Sequence, residues 1–143
     1  MRPLGVTLIG LYQLLRGVIG VLFGLSILAF TGLTARLASV AAEGNAAARL
    51  LLSFGHMAGL IIVVFALLHL AAGYGILQMA NWGRLLTVLL SAMGLVLLLP
   101  GMLFLHVFSL AFGLINAASI FYLAMPPVRR AFQAAGSSLR MAA

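Results

Sequence analysis

The chain has 143 residues, 65% of them hydrophobic and only 6% charged, with a mean hydropathy of +1.28 and a formal net charge of +7. This excludes a soluble globular domain, which carries about 25% charge, and points to an integral membrane protein. The eight basic residues are all arginine, placed singly or in one pair around apolar segments, so they mark topology rather than a nucleic-acid face; the absence of cysteine removes disulfide, thiolate-metal and paired-thiol chemistry.

A membrane-crossing helix needs about 20 mostly apolar residues. Four segments meet that requirement, at about 4–30, 50–79, 81–99 and 103–125. The first resembles a signal peptide only superficially, because its apolar run is too long and is interrupted by Arg16, so it is expected to stay as a span. The outer loop 31–49 is Ala-rich, with Leu33, Leu37 and Val40 at helical spacing, and is expected to form a short interfacial helix. The second span is about 45 Å long at about 1.5 Å per residue, which predicts tilt or protrusion rather than loosening near Gly73 and Gly75. Asn81 is expected to cap the third span, with Trp82 and Arg84 at the headgroup level, and Pro100-Gly101 to end it in a tight hairpin. After Pro126-Pro127 the tail 126–143 reads as a second interfacial helix, with Val128, Phe132, Ala135 and Leu139 along one face and Arg129, Arg130 and Arg140 for lipid phosphates. A solvated tail is the competing reading of that segment.

Basic loops stay cytoplasmic. With four spans, Arg2, Arg84, Arg129, Arg130 and Arg140 share one side, and Arg36, Arg49 and Glu43 the other, so both termini are expected in the cytoplasm. The expected fold is an all-α, single-domain, antiparallel four-helix bundle. Arginine as the sole basic residue, amid abundant Ala, Gly and Leu, suits a GC-rich bacterial genome and hence an inner membrane.

The stretch LLHLAAGYGILQMANWGRLLTVLLSAMGLV, Leu67 to Val96, followed by MPPVRRAF, resembles a loose group of small bacterial four-helix integral membrane proteins. These pair a Gly-rich second helix with a Trp-x-Arg turn, here Trp82, Gly83 and Arg84, and a Leu-Ser third helix. The resemblance covers the C-terminal half, implies four helices and bacterial origin, and carries over no functional residues.

Helices in lipid associate through small residues and hydrogen bonds. At 100° per residue each span shows one such seam: Gly10, Gln13, Gly17, Gly20 and Gly24; Gly55, Gly59, Ala66, His69 and Gly73; Thr87, Ser91 and Gly94; His106, Ser109, Gly113 and Asn116. Counting rise from the cytoplasmic ends puts Gln13 at about 14 Å, Arg16 at about 18 Å, His69 at about 15 Å, Ser91 at about 11 Å and Asn116 at about 14 Å, one polar layer near the midplane.

Arg16 lies about 75° from the centre of its seam, toward the edge of the bundle, and too deep for snorkelling to reach water. The only carboxylate, Glu43, is expected outside the membrane. Arg16 is then held by oxygens of Gln13, Asn116, Ser91 and Tyr12, by a counter-charge on another chain, or by an anionic or carbonyl-bearing ligand such as a lipid headgroup or quinone. His69 reads first as a packing residue and second as a cofactor ligand. His56 and His106, near the outer ends of their helices, are candidate haem or chlorophyll ligands without a spacing motif.

A single acidic residue leaves no carboxylate pair for acid-base work, so no enzyme, catalytic residue, metal site or obligatory cofactor is expected. The preferred reading is an accessory or stabilising subunit that docks with other membrane proteins in the lipid bilayer, with Arg16 and Gln13 as partner or ligand contacts. A small homo-oligomeric channel or carrier for an anion or lipid is the alternative, and a haem- or chlorophyll-binding subunit the second.

Overall fold

The computed structural model describes residues 3–41 and 46–141, with side chains at 3–37, 47 and 49–135. These residues are all-helical: α1 (Leu4–Ala41), α2 (Ala46–Leu77), α3 (Asn81–Leu103), α4 (Val107–Ala124) and α5 (Pro126–Met141). Four helices are long and apolar enough to cross a membrane, over Leu4–Leu37, Arg49–Leu77, Asn81–Leu103 and Val107–Ala124. Arg2 and Glu43 fall outside the described residues, as do the side chains of Leu139 and Arg140. The chain forms two compact units, Met1–Leu14 with Ala71–Ala143, and Leu15–Leu70.

In the Leu15–Leu70 unit, α1 and α2 form an antiparallel ribbon whose register is written by glycine. A Cβ on Gly17 would meet Leu70 and Ala66, one on Gly20 would meet Ala66, and one on Gly24 would meet Val63 and the Gly59 carbonyl. From the other side, Gly59 receives Leu28 and Ile27, and Gly55 receives Thr31. Numbers rise on one helix as they fall on the other, which fixes the antiparallel sense.

The expected interfacial helix after span one does not exist separately, because α1 runs on to Ala41 without a break. The segment lacks proline, and its hydroxyls turn back onto the helix: Thr31 Oγ1 donates to the Ile27 carbonyl (2.8 Å) and Thr34 Oγ1 to the Phe30 carbonyl (2.9 Å). Such back-bonding satisfies each hydroxyl within the helix's own preceding turn. The second span is likewise an unbroken helix through Gly73 and Gly75, as expected.

In the other unit, α3 and α4 form an antiparallel hairpin, with Gly101 against Ser109 at its turn and Arg84 against the Leu123 carbonyl at its open end. Two expectations fail here. Asn81 is the first helical residue, not the cap; Ala80 is the cap, and Asn81 Oδ1 accepts a hydrogen bond from Arg84 Nε (3.1 Å) instead. Pro100-Gly101 does not stop α3, which continues to Leu103, so the turn is residues 104–106 and α4 starts at Val107. A proline in the last turn removes one donor from a ladder that was about to end.

Both hairpin turns instead use a left-handed residue after the helix. Met79 and Leu105 each have φ of 55°. Ala80 N–H bonds the Gly75 carbonyl and Met79 N–H the Ile76 carbonyl; His106 N–H bonds the Gly101 carbonyl and Leu105 N–H the Met102 carbonyl. These are Schellman endings built on residues with a Cβ, where glycine is the usual occupant.

The core of this unit joins three helix ends and the tail: Val6, Ile76, Leu123, Val128 and Phe132 are buried together. Its narrowest point is the crossing of Gly75 and Gly83, where each backbone stands in the place of the other's Cβ.

Three substitutions test this account by thermal or denaturant unfolding in mild detergent, with helical circular dichroism as readout. Gly83→Ala, whose Cβ would lie 2.6 Å from Gly75 Cα and Ile76 N, is expected to cost about 2 kcal/mol or more, since backbone cannot yield as a side chain does. Gly32→Ala, with nothing within 4 Å, is expected to gain about 1 kcal/mol from helix propensity. Leu105→Gly removes left-handed strain at an exposed position and is expected to stabilise by about 1 kcal/mol.

Candidate functional site

The residues carrying chemistry fall into three groups, each belonging to one unit. The first is Arg16 with His69 on the α1/α2 ribbon. Gly17 meets Leu70 and Ala66, which brings positions 16 and 69 of the two helices to one level. His69 is 7% exposed and its Nδ1 has no hydrogen-bond partner, while Arg16 is half-buried and close enough for its charge to act on the imidazole. The edge position expected for Arg16 matches that half-burial. His56, on the same ribbon, is exposed.

The second group lies inside the other unit. Gln13, Thr87, Ser91, Asn116 and Ser119 are all buried there. The hairpin register that sets Arg84 against Leu123 and Gly101 against Ser109 brings Ser91 level with the stretch from Asn116 to Ser119. Ser119 Oγ donates to the Ile115 carbonyl (2.8 Å), whereas Tyr12 Oη, Gln13 Oε1, Thr87 Oγ1 and Ser91 Oγ have no hydrogen-bond partner. Gln13, Ser91 and Asn116 belong to this unit, and Arg16 and His69 to the other. Gln13 is an interior side chain, whereas Arg16 is half-buried. Thr87 and Ser119 complete the group. Both were legible by spacing, four residues before Ser91 and three after Asn116, on faces already marked as polar.

The packing residues Gly10, Gly17, Gly24, Gly59, Gly73, Gly94 and Gly113 are buried, and Gly20 and Gly55 are half-buried. Gly113 receives Met102, and Gly73 packs on the Gly10 carbonyl and Leu14. His106 does not join the α4 seam, because it is the exposed residue that precedes the helix. Among the described residues, no three of His, Cys, Asp or Glu gather in a group able to hold a metal ion.

The third group sits at the helix ends. Trp82 lies over Gly75 and stays half exposed, and Arg129 and Arg130 are exposed on α5. Arg84 behaves differently from the expected headgroup residue. Its Nη1 donates to the Leu123 carbonyl (3.3 Å), so the guanidinium caps the C-terminal end of α4, where the helix dipole favours a cation.

Thr87 offers a test of the interior. Its hydroxyl is fully buried without a partner, and Thr87→Val keeps the shape while removing the polar atom. A buried hydroxyl left unbonded costs about 1–3 kcal/mol, so the valine variant is expected to be more stable by about 1 kcal/mol. Measured loss of stability would show instead that the hydroxyl is bonded to water or a ligand.

No family model matches this chain, and no curated protein or solved structure shows a significant match to it.

Proposed function

We propose that the chain is a multi-pass protein of a bacterial inner membrane, an antiparallel four-helix bundle with both termini cytoplasmic. In this reading it is a non-catalytic accessory subunit that docks into a larger membrane assembly through the α1/α2 ribbon.

The observation that carries this reading is the ribbon's length. Its two candidate spans have 34 and 29 residues. At about 1.5 Å per residue they extend about 51 and 44 Å, against a hydrocarbon core of about 30 Å. To fit inside, the helices would have to lean by about 54° and 47°, beyond the usual tilt range of roughly 0–40°. Part of the ribbon therefore leaves the hydrocarbon. At its far end Phe30, Leu33, Leu37, Leu50, Leu51 and Phe54 are exposed, as are Arg36 and Arg49. Apolar surface of this extent at a polar boundary is the mark of an interaction site, and a protein partner covers it more favourably than water does. Arg16, half-buried on the same ribbon, offers a guanidinium to an oxygen of such a partner.

Extraction of the tagged chain in a gentle detergent is the test. The expected result is co-purification of a larger membrane complex in fixed stoichiometry, released by Leu33→Gln/Leu51→Gln while helix content is kept. Recovery as a lone homo-oligomer that conducts anions in liposomes would replace this reading with the channel or carrier. A visible absorption band from haem or chlorophyll would replace it with the pigment-binding subunit.

A further inference from the structure

In the unit formed by Met1–Leu14 and Ala71–Ala143, several helix ends come together. Val6 lies in the first turn of α1, Ile76 in the last turn of α2 and Leu123 in the last turn of α4, and all three are buried with Val128 and Phe132 of α5. α5 therefore lies across the ends of the spans, at the level where hydrocarbon gives way to headgroups. Its apolar face is already used: Val128 is 5% exposed and Phe132 0%. An amphipathic helix that only rests on a bilayer would insert that face into lipid. This one gives it to the protein and becomes a fixed shelf.

The shelf turns Arg129 and Arg130 outward. At the same end of the unit, the Trp82 ring lies over Gly75, next in sequence to the core residue Ile76, and remains 51% exposed; Tyr74 is exposed as well. Arg84 adds a cation held in place by its bonds to Asn81 and the Leu123 carbonyl. The chain's single acidic residue is Glu43, so no Asp or Glu occurs anywhere in residues 71–143 to offset these charges.

We propose that the outward face of α5, Arg129 and Arg130 with Trp82 at the same end of this unit, is a binding site for the phosphate of an anionic phospholipid headgroup. A guanidinium presents a planar fork that matches phosphate oxygens two at a time. Trp and Tyr, apolar in body and polar at the tip, belong at the same headgroup level, which favours a lipid over a soluble acidic protein as the occupant. Near a membrane surface each arginine enriches an anionic lipid about five-fold. The site does not depend on the subunit reading.

Trp82 is the only tryptophan in the chain and reports on its own lipid neighbours. The full-length protein is reconstituted in phosphatidylcholine bilayers containing a minor fraction of either acyl-brominated phosphatidylglycerol or acyl-brominated phosphatidylcholine, and Trp82 quenching is compared. The expected result is several-fold stronger effective enrichment of the glycerol lipid, weakened by salt and abolished by Arg129→Gln/Arg130→Gln. Arg129→Lys/Arg130→Lys keeps only the part due to charge, since an ammonium lacks the guanidinium's fork, and Arg36→Gln/Arg49→Gln leaves it unchanged. Helical circular dichroism and the Trp82 emission maximum in pure phosphatidylcholine establish that each variant is folded; should the double glutamine variant not assemble, Arg130→Gln alone reads the same ratio. Equal quenching by the two lipids in the unmodified protein overturns the proposal, as does selectivity that survives loss of both arginines. Displacement of the brominated lipid by millimolar inorganic phosphate would assign the site to free anions and overturn it too.

Discussion

Helices in hydrocarbon gain little by hiding leucine from lipid that is as apolar as leucine, so their association rests on close backbone approach. In this chain that approach is made at glycine. Along α1, Gly10, Gly17 and Gly24 each admit a Leu or Val of α2; along α2, Gly55 and Gly59 admit Thr31 and Leu28 of α1. The exchange works in both directions, so a slip of one residue would put branched side chains against backbone on both helices. At Gly75 and Gly83 not even a side chain intervenes. Everything else in the molecule follows from where these small residues are spent, because large apolar side chains are thereby left to face outward, where lipid is as good a neighbour as protein.

The arginines show how one side chain serves different ends according to what its level in the fold supplies. Arg84 stands at the start of α3 and reaches the last carbonyls of α4, so its charge is matched by a helix dipole and its donors by fixed oxygens. Arg129 and Arg130 are exposed on a helix whose Val128 and Phe132 are buried, so their charges turn outward, away from the core. Arg16 lies part-way along a span, half-buried beside an imidazole.

Periodicity and hydropathy made the helices and their inward faces readable: the glycine rows, Gln13, His69, Ser91 and Asn116 are buried or nearly so where angular counting puts them. The errors were at helix ends. Thr31 to Ala41 reads as interface by composition, but hydroxyls bonded to the preceding turn let the helix continue. Pro100-Gly101 reads as a stop, yet the actual stop is Leu105 in the left-handed region, a conformation nothing in that residue's chemistry announces. The Arg84 clamp was out of reach for a different reason, because its acceptor is 39 residues away in sequence and becomes a neighbour only once α3 and α4 have paired.

That dependence on pairing bears on how the tail acquires its role. Prolines at 126 and 127 have no N–H to give, so α5 loses little by starting there, and the bend at Met125 redirects the chain as α4 ends. Direction alone would leave α5 free to swing. Phe132 and Val128 hold it, by filling the space bounded by Val6, Ile76 and Leu123, a space that exists only when α1, α2 and α4 have already met. The orientation of the basic face is therefore a property of the assembled spans, and changes that loosen the Gly75 and Gly83 crossing should disturb the arginines of α5 without touching them.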